Sequence, residues 1–287
     1  MTQFRNHIKP VLESIDSPPP VLFSALPNAM RPLVAVLDSG VDWTHPALSG
    51  AVWRNPREIV GNGKDDDGNG FKDDSYGWSF AANNARPMDG DGHGTHVAGI
   101  VVQAGCAVQA VKVLRDDGLG QEAWIAAGIL YAVRAGIRVI SLSLGGYDRV
   151  PKIAAAVKTA IDRGCIVVAA AGNDGIDIRR EPIYPACLPG VLSVGALDGS
   201  KLWASSNIGA RICAPGKAIY STLPGNRWGR YSGTSMATPA VSAACALVWG
   251  RRPQWTAFQV IDHVLRTTDT IANVGRRLNL SAALADL

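Results

Sequence analysis

The sequence predicts an α/β fold, a three-layer α/β/α arrangement with a mostly parallel central sheet, and three observations carry that prediction. Short continuous apolar runs recur along the chain, as expected of strands buried on both faces. Segments with helical spacing alternate with them, the pattern of strand–helix–strand crossovers. Hydrophobic residues make up 47% of the 287 positions and charged ones 18%, enough apolar material for a core on each side of a sheet. No internal repeat and no linker divides the chain, so residues 1–287 are expected to form one domain.

Residues 1–31, with Ser17-Pro18-Pro19-Pro20, read as an extended or short-helical arm wrapping that domain. Leu33-Val34-Ala35-Val36-Leu37 is the first buried strand, and it runs into Asp38-Ser39-Gly40-Val41-Asp42. A carboxylate at the C-terminal end of a central parallel strand lies where open α/β sheets place their sites, although Asp38 alone reads equally as a turn or cap residue. Residues 50–92 are irregular and polar. His93 follows, between Gly92 and Gly94 at the start of a helix, so that backbone can approach it closely. Residues 108–114 read as a strand, 121–135 as a helix, 138–144 as a strand ending in Gly145-Gly146, and about 151–163 as a helix. Residues 165–171 form the next buried strand, which enters Gly172-Asn173-Asp174-Gly175, and 191–196 continue the sheet. Last comes Gly233-Thr234-Ser235-Met236-Ala237-Thr238-Pro239, a turn into a helix that is apolar on every face. Pro239 is expected within that helix's first turn, where no intrahelical partner is lost. Ser235 at such an entrance faces free N–H donors and the positive end of a helix dipole; alone, it reads as a helix cap.

Composition also excludes functions. A net charge of +4 with no dense Lys/Arg stripe argues against nucleic acid, and no apolar run reaches membrane-spanning length. The N-terminus has no apolar signal core, so the chain is expected either in the cytoplasm or as a secreted protein lacking its leader, and as a monomer. Five cysteines (Cys106, Cys165, Cys187, Cys213, Cys245) without CxxC spacing argue against zinc, and any disulfide among them is not identifiable from spacing. His93 and His96 lack the glutamate of an HExxH pair.

Asp65-Asp66-Asp67-Gly68-Asn69-Gly70-Phe71-Lys72-Asp73-Asp74 matches the start of a calcium loop. Asp65, Asp67 and Asn69 offer alternate oxygens to one hard cation, with Phe71, Asp73 and Asp74 as further candidates. Position 12 is Tyr76 rather than glutamate, so this is not an EF-hand, and a solvated acidic turn is the plainer alternative.

A nucleophilic serine needs a base, a group orienting that base, and donors for an oxyanion. Ser235, His93, Asp38 and Asn173 supply each type in a special backbone context. Four blocks, residues 34–42, 93–99, 169–173 and 233–239, stand in the order Asp…His…Asn…Ser and resemble the subtilisin-like serine proteases, or subtilases. Weaker matches, among them Val111-Lys112-Val113-Leu114, Tyr184-Pro185 and Ala214-Pro215-Gly216, extend the resemblance over about residues 30–270.

The resemblance implies a serine endopeptidase. Ser235 would attack the peptide carbonyl, His93 would take and return its proton, and Asp38 would orient His93. Asn173 and the Ser235 backbone N–H would form the oxyanion hole. A polypeptide substrate would lie as an added strand between Gly118-Leu119-Gly120 and Ser143-Leu144-Gly145, with Ala170, Gly172 and neighbours lining the S1 pocket and Asp174 near its mouth, where it could favour a basic P1 residue. Tyr184-Pro185 resembles a position that often carries a cis bond. The acidic loop resembles an insertion of some subtilases, so a structural Ca2+ is implied as well. Two departures stand out: Ala240 replaces a frequent histidine, and only residues 1–33 precede Val34, so no separate prodomain is expected. A peptide ligase or macrocyclase, or a catalytically silent peptide binder on the same fold, are the alternatives.

Overall fold

The computed structural model describes residues 3–5, 31–285 and 287. The expected wrapping arm therefore lies outside the described residues, apart from β1 (Gln3–Arg5). The chain continues through β2 (Leu33–Asp38), β3 (Gly77–Ser79), α1 (His93–Gln103), β4 (Ala107–Lys112), β5 (Leu119–Gln121) and α2 (Glu122–Arg134). Next come β6 (Val139–Leu142), α3 (Pro151–Asp162), β7 (Ile166–Ala170), β8 (Leu192–Asp198), β9 (Lys201–Leu202) and β10 (Ile212–Pro215). The hairpin β11 (Ile219–Leu223) and β12 (Arg227–Tyr231) precedes α4 (Thr234–Arg251), α5 (Ala257–Arg266), β13 (Asp269–Ile271), β14 (Gly275–Arg277) and α6 (Leu280–Leu284).

The main sheet runs β13-β14-β10-β8-β7-β6-β2-β4-β3, with β9 added beside β8. Every pair from β14 through β10 to β3 is parallel, and only β13 and β9 pair antiparallel. Strands β2, β4, β6 and β7 are buried almost throughout because helices cover both faces, which is why β2 up to Leu37 and β7 read as unbroken apolar runs. One core, with Val36, Val97, Val168 and Val241, lies under α1 and α4; a second, with Leu37, Ile129, Ile140 and Val157, lies under α2 and α3. From β2 the chain goes first to β4 on one side and later to β6 on the other. Such a reversal opens a crevice at the carboxyl ends of the strands.

One expectation is corrected. Helix α4 begins at Thr234, so Pro239 stands inside it, past the first turn. A proline there removes the N–H that would bond the carbonyl four residues back, that of Ser235. Ser143 Oγ donates to this carbonyl instead, at 2.9 Å, so the missing helix bond is replaced from the end of β6.

Candidate active site

Asp38 ends β2 and is fully buried. Its Oδ1 accepts from the Ser39 backbone N–H at 2.7 Å and lies 2.7 Å from His93 Nδ1. His93 opens α1, whose first turn presses against the end of β2: a Cβ on Gly94 would lie 2.1 Å from the Gly40 carbonyl oxygen. That contact is the reason for the glycine beside the histidine. Asp89 caps the same helix end, accepting from the N–H groups of Gly92 (2.9 Å) and Thr95 (2.8 Å) and from Ser39 Oγ (2.9 Å). Sequence reasoning missed it; the acidic Asp89-Gly90-Asp91 before the helix was the available signal.

Burial by itself would lower the His93 pKa. The charge of Asp38 and its hydrogen bond, followed by the charges of Asp91 and Asp89, outweigh burial and hold the imidazole above its ordinary value. With Nδ1–H donated to Asp38, the neutral ring presents a lone pair at Nε2. This atom is buried and has no hydrogen-bond partner. His96, one turn on, behaves oppositely. Its Nε2 lies 2.9 Å from the Ile219 carbonyl and 3.2 Å from that of Gly229, its ring stacks on Tyr231, and burial brings its pKa down to about 3. It ties α1 to the β11–β12 hairpin as a neutral imidazole.

Ser235 is the second residue of α4, 3% exposed. The serine is locked to the sheet twice: Ser143 Oγ holds its carbonyl, and its own Oγ donates to the Ser143 carbonyl at 3.2 Å. Ser143 directly follows β6, whose Leu142 pairs with Leu37 of β2, next to Asp38. The sheet register thus brings the ends of α1 and α4 to one crevice. Asn173 stands just beyond β7, and its Oδ1 accepts from the Thr234 N–H at 2.8 Å and Thr234 Oγ1 at 3.0 Å. This turns the amide's NH2 end away from Thr234. Thr234 is a second residue that the sequence reading passed over.

A pocket beside Ser235 is lined by Ser143, Leu144, Gly145, Ala170, Gly172, Asn173 and Asp174, all expected there, and also by Ile183, which was not. Gly118 precedes β5, and β5 pairs antiparallel with β1, Phe4 opposite Gly120. The Tyr184–Pro185 bond is cis.

The family model described as "Subtilase family" matches residues 30–281. The chain belongs to the subtilase family. Subtilisin NAT of Bacillus subtilis subsp. natto is 38% identical over 84% of this chain and 61% of its own length. The subtilisin of Bacillus pumilus is 39% identical over 82% of each chain. The major intracellular serine protease of Bacillus subtilis (strain 168) is 41% identical over 75% of this chain and 67% of its own. A crystal structure of a cold-adapted subtilisin-like serine proteinase superposes with a TM-score of 0.72 at 27% identity, covering 88% of this chain and 89% of the other. The chain spans about three-fifths (61%) of the length of the first curated relatives it matches.

The acidic loop of this subtilase divides its carboxylates between two tasks. Oxygens of Asp65, Asp67 and Glu58 lie within 4.8 Å of one another. Asp73 faces elsewhere, accepting from the N–H groups of Asn62 (3.0 Å) and Gly63 (2.8 Å). Asp74 is fully buried and accepts from Tyr131 OH (2.6 Å), Asn55 Nδ2 (2.9 Å) and Asn69 Nδ2 (3.0 Å), pinning the loop to α2. Asn69 Oδ1 accepts from the Phe71 N–H at 2.8 Å. Glu58, outside the motif, was missed. All five cysteines are free thiols, and none of the helices among the described residues is long and apolar enough to cross a membrane.

Proposed function

We propose that this subtilase is a serine endopeptidase that cleaves polypeptides through an acyl-enzyme. The observation that carries the reading is the buried 2.7 Å contact between Asp38 Oδ1 and His93 Nδ1, which leaves a lone pair on an unpartnered Nε2 in the crevice that Ser235 enters. Ser235 Oγ turns from the Ser143 carbonyl to His93 Nε2; catalytic hydrogen bonds commonly tighten only when substrate is bound. As Oγ attacks the scissile carbonyl carbon, its proton passes to Nε2 and Asp38 stabilises the imidazolium. The carbonyl oxygen, now negative, is met by the Ser235 backbone N–H at the start of α4 and by the Asn173 amide, which Thr234 holds in orientation. Collapse expels the amine with the proton from Nε2. Water, deprotonated by His93, then attacks the acyl carbon and frees Ser235. The substrate lies extended between residues 118–120 and 143–145. A serine-directed fluorophosphonate is expected to label Ser235 in the folded protein. Ser235→Ala is expected to lose both the label and, by at least about a thousandfold, peptide hydrolysis. Hydrolysis by Ser235→Ala at the wild-type rate would overturn the assignment.

We infer further that Glu58, Asp65 and Asp67 hold a structural Ca2+. Glu58 is 8% exposed, and its Oε2 is buried without a hydrogen-bond partner beside two carboxylates, an arrangement that is costly unless a cation sits among them. The ion would offset the repulsion of three acids and fix the loop. Chelation is expected to lower the melting temperature of calcium-loaded protein, and Glu58→Gln to abolish the difference. Equal melting curves for loaded and chelated wild type would refute the site.

A further inference from the structure

Lys112 is a buried amine that the mechanism above does not use. It is 6% exposed and ends β4, where the sheet register sets it beside Asp38 at the end of β2. Its ammonium donates to the Ser39 carbonyl and, at 2.7 Å, to Asp116 Oδ1. The first bond fixes the residue next to Asp38. The Ser39 N–H already serves the Asp38 carboxylate, and Ser39 Oγ links Asp89 to the Gly94 N–H. The second bond reaches further. Asp116 Oδ1 also accepts from the Gly90 N–H at 3.2 Å, and the two approach so closely that a Cβ on Gly90 would stand 2.5 Å from Asp116 Cγ. Gly90 lies between Asp89, which caps α1, and Asp91, whose Oδ1 accepts from the His93 N–H. Asp116 itself belongs to the turn that leads into β5. The Arg115 N–H donates to the Leu119 carbonyl at 2.8 Å and the Gly118 N–H to the Arg115 carbonyl at 3.0 Å, which ties Asp116 to residues 118–120. One ammonium and one carboxylate therefore staple together the turns that carry Asp38, His93 and the edge of β5.

We propose that Lys112 and Asp116 are positioning residues, which hold His93 at a fixed offset from the strand on which an extended substrate pairs. This rests on the endopeptidase reading above. An ion pair lying wholly on the surface would be worth little, but here the Lys112 side chain is only 8% exposed against 63% for Asp116. Burying an ammonium is costly, and an apolar side chain would fill the same space at less cost. Both of the lysine's bonds go to turns around the Asp38–His93 pair, where position matters most. A peptide that pairs with residues 118–120 is aligned by them, so the offset decides whether its scissile carbonyl meets Ser235 and His93 together. A substrate of a single residue does not reach that edge and gains nothing from the offset. The staple therefore acts on the kcat of long substrates.

The experiment compares the p-nitroanilides of N-acetyl-tetraalanine and N-acetylalanine in wild type, Asp116→Ala, Asp116→Asn and Lys112→Met, with rates expressed per Ser235 labelled by a fluorophosphonate. Asp116→Ala is expected to lower the ratio of kcat for the long substrate to kcat for the short one by about tenfold, the worth of a hydrogen bond to a charged group. Asp116→Asn keeps an oxygen for Gly90 and Lys112 and should recover most of that ratio. Lys112→Met should lower it as Asp116→Ala does, and the double variant should lower it no further. Asp116 is exposed, so its two variants decide the matter where Lys112→Met fails to fold. A ratio unchanged in Asp116→Ala, whatever its melting temperature, overturns the proposal, as does a loss confined to KM or an Asn variant no better than Ala. Diphenyl phosphonate esters built on the same two acyl chains read the ratio a second way, as limiting rates of Ser235 modification without peptide hydrolysis. Modification of wild type with no hydrolysis of any anilide or protein would sink the endopeptidase reading, and the modification ratio would then decide the positioning role by itself. No modification of wild type by either ester would sink both.

Discussion

His93 carries the sharpest consequence at the scale of single residues. As the proposed base it must be neutral, so activity is expected to fall as pH drops through its pKa, and that pKa stands above the ordinary 6.5 because Asp38, Asp91 and Asp89 together outweigh burial. The acid limb of kcat/KM is therefore expected above pH 6.5. Asp91→Asn removes one of those charges yet keeps an oxygen for the His93 backbone N–H, which Asp91 Oδ1 now accepts at 2.9 Å. The variant should move the acid limb to lower pH with little change in the plateau rate; a pH–rate profile checks it, and an unmoved limb would remove Asp91 from the account. Asp38, His93, Asn173 and Ser235 were legible in the sequence as candidates because each sits where a strand ends or a helix begins, within two residues of a glycine. Thr234, Asp89 and Glu58 were not. Their roles are contacts with groups that tertiary packing brings beside them, and a threonine before a helix or a lone glutamate in a polar stretch carries no local mark of that.

The elements explain why these residues meet. Helix α4 is buried on nearly every side, so its position is set by packing all round, and Ser143 replaces the helix bond that Pro239 removes. One serine at the end of β6 thereby keeps the helix intact and holds Ser235 against the sheet. Helix α1 is braced from the other side by the β11–β12 hairpin, through Ser221 Oγ and Thr222 Oγ1 on the carbonyls of His96 and Thr95 and through the His96 ring. The sequence reading found helices at α1 to α4, but neither α5 and α6 nor the hairpin, whose mixed strands carry no clean alternation. His96 makes this brace pH-dependent. Its pKa is about 3 in the fold against an ordinary 6.5, so between those values the unfolded chain binds a proton that the folded chain refuses. The stabilisation is complete above pH 6.5 and drains away as pH falls toward 3, by about tenfold in the folding constant per pH unit. Denaturant unfolding between pH 7 and 4 should show a shallower loss of stability in His96→Gln than in wild type; parallel curves would mean that His96 titrates alike in both states.

Across the whole molecule, the parallel sheet was readable because burial on both faces writes itself as apolar runs. The pairing of β1 with β5 was not, because three residues, Gln3-Phe4-Arg5, carry no strand signal. Yet β1 lies antiparallel along β5, with Phe4 opposite Gly120 and Arg5 opposite Leu119, while Leu114 bridges Gly120 from the other side. A strand has two edges, and both edges of this one are taken. An extended substrate that pairs with residues 118–120 must therefore displace β1, since the same N–H and C=O groups cannot serve two partners. The displacement adds to the free energy of binding but not to the chemistry that follows, so it belongs in KM rather than kcat. Deleting residues 1–5 is expected to lower KM for extended peptides and leave kcat unchanged. A synthetic peptide of residues 1–7, added to the shortened protein, should raise KM again as a competitor. Tripeptide substrates too short to reach β5 should show no such difference. A KM that ignores the deletion for long and short substrates alike would place the substrate strand on another edge.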